Sequence, residues 1–199
     1  MPPSLVDDAG LPRLAERVAA LREAFEEAGI LLATRASRPL DGTDLAAPDA
    51  IALRRRLHDR HDDADWRPWL AEGGLRLGVS SLALANRWVT PEAEPRRFDT
   101  WFFRAVCPLG QLAEHDSVEM VSSAWVRPAD ALAAAARGEA LVVTPTRRNL
   151  EELVGFATAA DAVADAHARG SDEPILPVLH RDGDRAWVTH PSFGRLDLR

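Results

Sequence analysis

The sequence predicts an α/β chain, on three observations. A helix with one apolar stripe ends at a glycine and gives way to an apolar, strand-like run within residues 11–32. Two later stretches, 98–107 and 118–126, are rich in the aromatic or β-branched residues that strands favour. Helical patterns at 49–62 and 128–137 flank them. At 199 residues, 46% hydrophobic and 28% charged, the composition is that of one globular domain with a full core.

The elements follow in order. Leu11, Leu14, Val18, Leu21, Phe25 and Ala28 step three and four residues at a time, forming one stripe that must pack against a partner. With Phe25 at the centre of the buried side, Glu16, Glu23 and Glu27 cluster within about 40° on the opposite side, and Glu26 sits on the flank. Gly29 can end the helix in a left-handed turn, and Ile30-Leu31-Leu32 restarts as an apolar strand-like run. Residues 33–47, with Pro39 and Gly42, read as a loop. Asp49 to Asp62 and Trp66 to Glu72 read as helices, so that 33–95 is expected to be a loop and helical insertion. Pro128 marks a helix start and Gly138 its stop. Thr146 is placed to cap a helix through Leu153, and Asp161 to Arg169 continues helical. Segments 175–180 and 185–190 surround Asp182-Gly183-Asp184, which has hairpin turn chemistry. The expectation is a single domain over 1–199, closed by a C-terminal helix and hairpin at 156–199.

Several function classes are disfavoured at once. A net charge of −7 argues against nucleic-acid binding, which needs a basic surface. No apolar run approaches the roughly 18 residues needed to span a bilayer. The N-terminus lacks the basic and apolar regions of a signal peptide. A lone cysteine, Cys107, fits a reducing compartment and reads as a structural thiol in a buried strand. The chain is therefore expected in the cytoplasm, without membrane or nucleic-acid partners.

The stretch Arg22-Glu23-Ala24-Phe25-Glu26-Glu27-Ala28-Gly29-Ile30 concentrates three carboxylates, one arginine and one glycine at a helix end. A charge run of this kind is commonly just a solvated helix face. Carboxylates on one face also suit a divalent cation held against a diphosphate. The nine residues resemble the back half of the Nudix box, REUXEEXGU with U apolar, both apolar slots being filled by Ala24 and Ile30. Further stretches resemble the branch related to peroxisomal coenzyme A and acyl-coenzyme A diphosphatases. They are Arg96-Arg97-Phe98-Asp99-Thr100-Trp101-Phe102-Phe103, the run from Glu119 through Ala124-Trp125-Val126-Arg127-Pro128 to Leu132, and Pro145-Thr146-Arg147-Arg148-Asn149-Leu150-Glu151-Glu152-Leu153. Together they span most of residues 11–155 in the expected order.

That resemblance implies a Nudix-like α/β/α sandwich with a mixed β-sheet and a metal-dependent hydrolase of a nucleoside diphosphate derivative, with coenzyme A or an acyl derivative as substrate. It implies Mg2+ or Mn2+ as cofactor. Glu26 and Glu27 would be ligands, Glu23 a ligand or the general base, and Arg22 the residue that orients a glutamate. Glu119 would add a carboxylate, or else be a surface strand residue. Arg97 and Arg147 would contact phosphate, or else form salt bridges. Gly29 would permit the tight helix exit. Two departures stand out. The position eight before Arg22 is Leu14 where the box has Glu, while Gly10 and Glu16 stand in the right relation to each other but too close to Arg22. The strand and Gly-Gly turn that precede the box in this family have only residues 1–9 to correspond to them, which leaves two expectations open: a start upstream of Met1, or a truncated family member without the first strand. A catalytically impaired Nudix-fold protein that binds a nucleotide or partner is the alternative. A homodimer, with a partner supplying the absent strand, is compatible with either.

Other clusters carry less. His58, His61, Asp62, Asp63 and Asp65 read as a solvated helix end, without a His-Glu-x-x-His pattern. Arg54-Arg55-Arg56 could contact phosphate, but three adjacent residues cannot share one helix face, and the run reads first as surface or ion-pairing. Trp66, Trp69 and Trp88 read as core, with base stacking as the other use.

Overall fold

A computed structural model describes residues 1–59, 61–113 and 124–198. Two compact units divide the chain: Met1–Leu82 with Ala105–Trp125, and Ala83–Arg104 with Val126–Arg199. The architecture is mixed α/β, as expected, with helices and three small sheets.

In the first unit, α1 (Leu14–Ala28) forms from a run rich in Ala, Leu, Glu and Arg, all strong helix formers. Its buried stripe differs from expectation. Leu21 and Phe25 are fully buried, but the turn before them buries Arg17, while Val18 and Glu16 are only half-buried. Arg17 is tolerated because its guanidinium donates to the carbonyls of Pro12 and Val79, both at 3.0 Å, and of Leu82. Burial holds its pKa below the usual guanidinium value, against the opposing pull of Asp7.

The apolar run Ile30-Leu31-Leu32 is buried, yet strand pairing begins only at β1 (Ala33–Arg35). β1 lies between β2 (Arg38–Pro39) and β3 (Leu75–Leu77), antiparallel to both. The expected loop at 33–47 thus holds two short strands and a one-turn helix, α2 (Gly42–Leu45), which local polar patterning does not announce. α3 (Pro48–His58) and α4 (Arg67–Glu72) fall where the apolar spacing put helices. Of the N-terminal residues, Val6 forms a single parallel bridge to Leu77, and Asp7 N–H donates to the Leu77 carbonyl at 3.0 Å.

The second unit contains β4 (Ala83–Val89), paired antiparallel with β5 (Asp99–Arg104) and parallel with β6 (Pro174–Ile175). β5 ends three residues before Cys107, so that cysteine lies beyond the strand; burial raises its thiol pKa, consistent with a non-nucleophilic thiol. α5 (Pro128–Ala136) and α6 (Thr144–Leu153) pack on each other, α6 starting two residues before the Thr146 expected to cap it. α7 (Ala159–Arg169) is capped by Thr158, whose hydroxyl accepts from Asp161 N–H. The expected hairpin forms from β7 (Val178–Asp182) and β8 (Arg185–His190), and β9 (Gly194–Leu198) adds an unanticipated third strand. The expected strand at 118–126 lies largely outside the described residues, and Ala124–Val126 are not in a strand.

Candidate functional site

The candidate site is built on the last two turns of α1. Phe25 anchors the inner face: it is 1% exposed and its ring stacks on Trp69, with centroids 6.0 Å apart and an interplanar angle of 11°. Trp69 is itself fixed, its indole N–H donating to Asp49 at 2.7 Å, a bond that lowers the Asp49 pKa. With Phe25 pinned inward, the helical period turns Arg22, Glu23 and Glu27 to solvent and leaves Glu26 half-buried. Arg22 and Glu26, one turn apart, form an ion pair.

The helix exit is closed from two sides. Gly29 has φ 68° and ψ 18°, a left-handed cap. Its N–H donates to the Phe25 carbonyl at 3.1 Å, and the N–H of Ile30 reaches the Ala24 carbonyl at 3.2 Å. The next two carbonyls lie beyond reach of the turn. They are met by Arg54 of α3, whose Nε donates to Glu26 O at 3.0 Å and Nη2 to Glu27 O at 2.9 Å. A Cβ at Gly29 would stand 2.8 Å from Arg54 Nη1, so glycine is demanded here by space as well as by φ.

Beside this joint opens a cavity of about 1200 Å³, with Phe25, Glu26 and Gly29 in one part of its lining and Arg54, Arg55 and His58 in another. Its lining also includes the largely exposed Leu109 and Leu112. Gln111 is 4% exposed and pairs with Leu31 and Leu40. The 41–42 and 110 backbones touch, Gly42 N–H donating to Gly110 O at 3.1 Å; a Cβ on Gly42 would come within 2.3 Å of that oxygen. Asp41 and Asp44 form a reciprocal capping box on α2. The Asp44 pKa is lowered, first by the backbone N–H of Asp41 and further by Arg38 and Arg35.

Arg54, Arg55 and Arg56 point to three different jobs. Arg54 binds α1, Arg55 lines the cavity, and Arg56 pairs with Asp62 at 2.8 Å, lowering that carboxyl's pKa. His58 belongs to the cavity lining instead of to a solvated helix end, while Asp65 bonds Arg67. Trp66 and Trp88 are buried, at 5% and 4% exposure.

The residues singled out from sequence are thus distributed unequally. Arg22, Glu23, Glu26, Glu27 and Gly29 are together on one helix end. Arg97 and Arg147 belong to the second unit, where Arg97 donates to Thr90 O at 3.1 Å and Arg147 pairs with Glu151 at 2.9 Å. Glu119 lies outside the described residues. Among the described residues no group of three or more His, Cys, Asp or Glu side chains converges on one point. The donor chemistry nonetheless fits a hard cation. Magnesium takes one or two carboxylates and keeps several waters, and Glu23, Glu26 and Glu27 offer such oxygens at i, i+3 and i+4. Arg54 and Gln111 were not recognisable from sequence as parts of the site, since only tertiary contacts bring them to it.

A profile of the NUDT19 Nudix domain matches residues 5–153. The chain is 29% identical over 192 residues to the acyl-coenzyme A diphosphatase NUDT19 of Gallus gallus, covering 88% of this chain and 47% of that protein. It is 30% identical over 156 residues to the Homo sapiens protein of the same name, covering 74% and 41% respectively. The chain therefore spans about half the length, or less, of these relatives. The crystal structure of a Nudix hydrolase from Alicyclobacillus acidocaldarius superposes with a TM-score of 0.66 at 30% identity, over 80% of this chain and 69% of that one. An intact box end on a glycine-capped helix and a match running through residues 5–153 lead to one assignment: the chain belongs to the NUDT19 Nudix domain family.

Proposed function

We propose that this chain is a metal-dependent Nudix pyrophosphohydrolase that cleaves the diphosphate linkage of a nucleoside diphosphate derivative, coenzyme A or acyl-coenzyme A. The observation that carries this reading is the 22–30 segment, folded as a helix end with Glu26 lining a cavity that also presents Arg55 and His58. The two relatives named as acyl-coenzyme A diphosphatases support the substrate. The match at 5–153 includes residues of both units and supports reading that stretch as part of one Nudix domain, which we extend to 1–199. No helix among the described residues is long and apolar enough to cross a membrane.

The chemistry asks for charge neutralisation on two phosphoryl groups, an activated water and a stabilised leaving phosphate. Glu26 and Glu27 would hold Mg2+ or Mn2+, which when bound would supply that neutralisation. Glu23, exposed on the outer face, is the base that takes a proton from the attacking water. The water oxygen bonds to phosphorus, the bridging P–O bond breaks, and the proton completes the departing phosphate. Arg22 orients Glu26 through the ion pair already formed. Arg55 and His58 are placed to meet anionic oxygen in the cavity.

The test is incubation of coenzyme A with Mg2+ or Mn2+ and mass-spectrometric detection of an adenosine bisphosphate and a phosphopantetheine. Glu27→Gln should cut turnover at least about 100-fold with an unchanged melting temperature. Equal turnover in that variant would overturn the site. One observation favours a second reading, a nucleotide-binding protein without catalysis: Leu14 stands at the box's upstream glutamate position and is half-buried on α1. Manganese binding without turnover on any nucleotide-linked diphosphate would decide for it.

A further inference from the structure

We propose that Arg54 is a positioning residue for the metal-binding carboxylates, acting through the backbone that carries them. The inference rests on the reading of Glu26 and Glu27 as metal ligands and adds a residue outside the box to their support.

A helix end leaves its last carbonyls without partners, and the ends of helices fray unless those groups are met. In α1 the left-handed turn at Gly29 meets the carbonyls of Ala24 and Phe25 and no further. The next two along the helix are those of Glu26 and Glu27, the residues whose side chains must be held still. One guanidinium from α3 serves both, by Nε at 3.0 Å and Nη2 at 2.9 Å. Its planar fork reaches two adjacent carbonyls at once, which a lysine ammonium on a flexible stem does not reproduce. The positive charge also sits at the negative end of the α1 dipole.

The contact is enforced, not incidental. Arg54 is held 27 or more positions away in sequence by the packing of α3 on α1. Gly29 leaves the space that the guanidinium fills, since a Cβ there would intrude to 2.8 Å. Leu53 and Leu57, the buried residues on either side of Arg54 along α3, fix the rotation that aims it at α1. Residues that orient metal ligands from behind cost about 10- to 100-fold in metal affinity when removed.

The full chain and the variants Arg54→Ala, Arg54→Lys and Glu27→Gln should be titrated with Mn2+, following free ion by electron paramagnetic resonance. Amide hydrogen exchange at residues 26–30 and melting temperature should be measured on the same samples. Arg54→Ala should weaken Mn2+ binding about 10-fold and speed exchange at 29 and 30. Arg54→Lys should recover little of either, and added guanidinium ion should restore Mn2+ affinity to Arg54→Ala alone. A purely structural role would lower the melting temperature while leaving the Mn2+ affinity of the folded protein unchanged. Should the alanine variant not fold, the lysine variant gives the same reading. Mn2+ binding that Glu27→Gln abolishes and neither Arg54 variant alters would overturn the role of Arg54. No Mn2+ binding by the unmodified chain would instead overturn the metal reading and Arg54's role with it.

Discussion

Gln111 pairs with the backbone of Leu31 as a neighbouring strand would. Its side-chain oxygen accepts from Leu31 N–H at 3.0 Å, its amide nitrogen donates to Leu31 O at 3.0 Å, and the same nitrogen donates to Leu40 O at 2.8 Å. One buried carboxamide therefore satisfies three backbone groups in the segment that leaves the candidate site. This is why Ile30-Leu31-Leu32, apolar and buried, need not enter the sheet before Ala33.

Replacing Gln111 with Leu keeps the volume and leaves those three groups without partners in a buried setting. Each such loss costs about 1–3 kcal/mol, so Gln111→Leu should destabilise the fold by at least about 2 kcal/mol. Urea unfolding followed by tryptophan fluorescence measures it. A loss under about 0.5 kcal/mol would show that water or a rearranged loop replaces the carboxamide.

Gly29→Ala meets two penalties at once. The left-handed backbone costs a β-carbon about 1–2 kcal/mol, and the new carbon presses on Arg54. In an Arg54→Ala background only the first penalty remains. The double-mutant cycle should give a coupling of roughly 0.5–3 kcal/mol, the range for residues in contact. Additive losses would mean that Arg54 moves aside without cost.

The Arg55 side chain lines the cavity and forms no hydrogen bond or ion pair with the other described residues. On the proposed reading it binds substrate anion equally in ground and transition states. Arg55→Ala should raise KM for coenzyme A about 10-fold with kcat within about twofold, as expected when uniform binding is lost. Steady-state kinetics would show the opposite pattern, lowered kcat at constant KM, if Arg55 served only the transition state.

Asp44 links pH to stability. Its folded pKa is lowered, by the Asp41 N–H first and by Arg38 and Arg35 after it. A carboxyl with a depressed folded pKa contributes stability that is fully present above its unfolded value of about 4. That contribution fades as pH falls through the lower folded value. Asp44→Asn gives up the ion pairs with Arg38 and Arg35 and should lose up to about 1 kcal/mol at neutral pH, and its gap to the parent chain should narrow as pH falls below about 4. Parallel stability curves across that range would remove Asp44 as the source.

The legible parts of this molecule are those written in local spacing. The α1 stripe marks Leu21 and Phe25 as the buried side, and the Arg22–Ile30 run carries the resemblance to the family. Arg17 escaped the same logic because its burial depends on carbonyls at Val79 and Leu82, more than 60 positions away. The strands at 33–39 were equally hidden: β1 exists because β3, from residues 75–77, lies alongside it.

Consecutive residues suffice to show that a helix bearing three carboxylates ends at Gly29 and that the chain carries the back half of its family's box. Helical period and a backbone region open to glycine are properties of consecutive residues. What holds that end in place depends on the packing of distant segments. Arg54, Gln111 and the cavity lining act through hydrogen bonds from side chains to distant backbone, and such bonds leave no periodic trace in the chain. Their partners are fixed only when α3 and the 109–112 segment have packed against α1 and the residues that follow it.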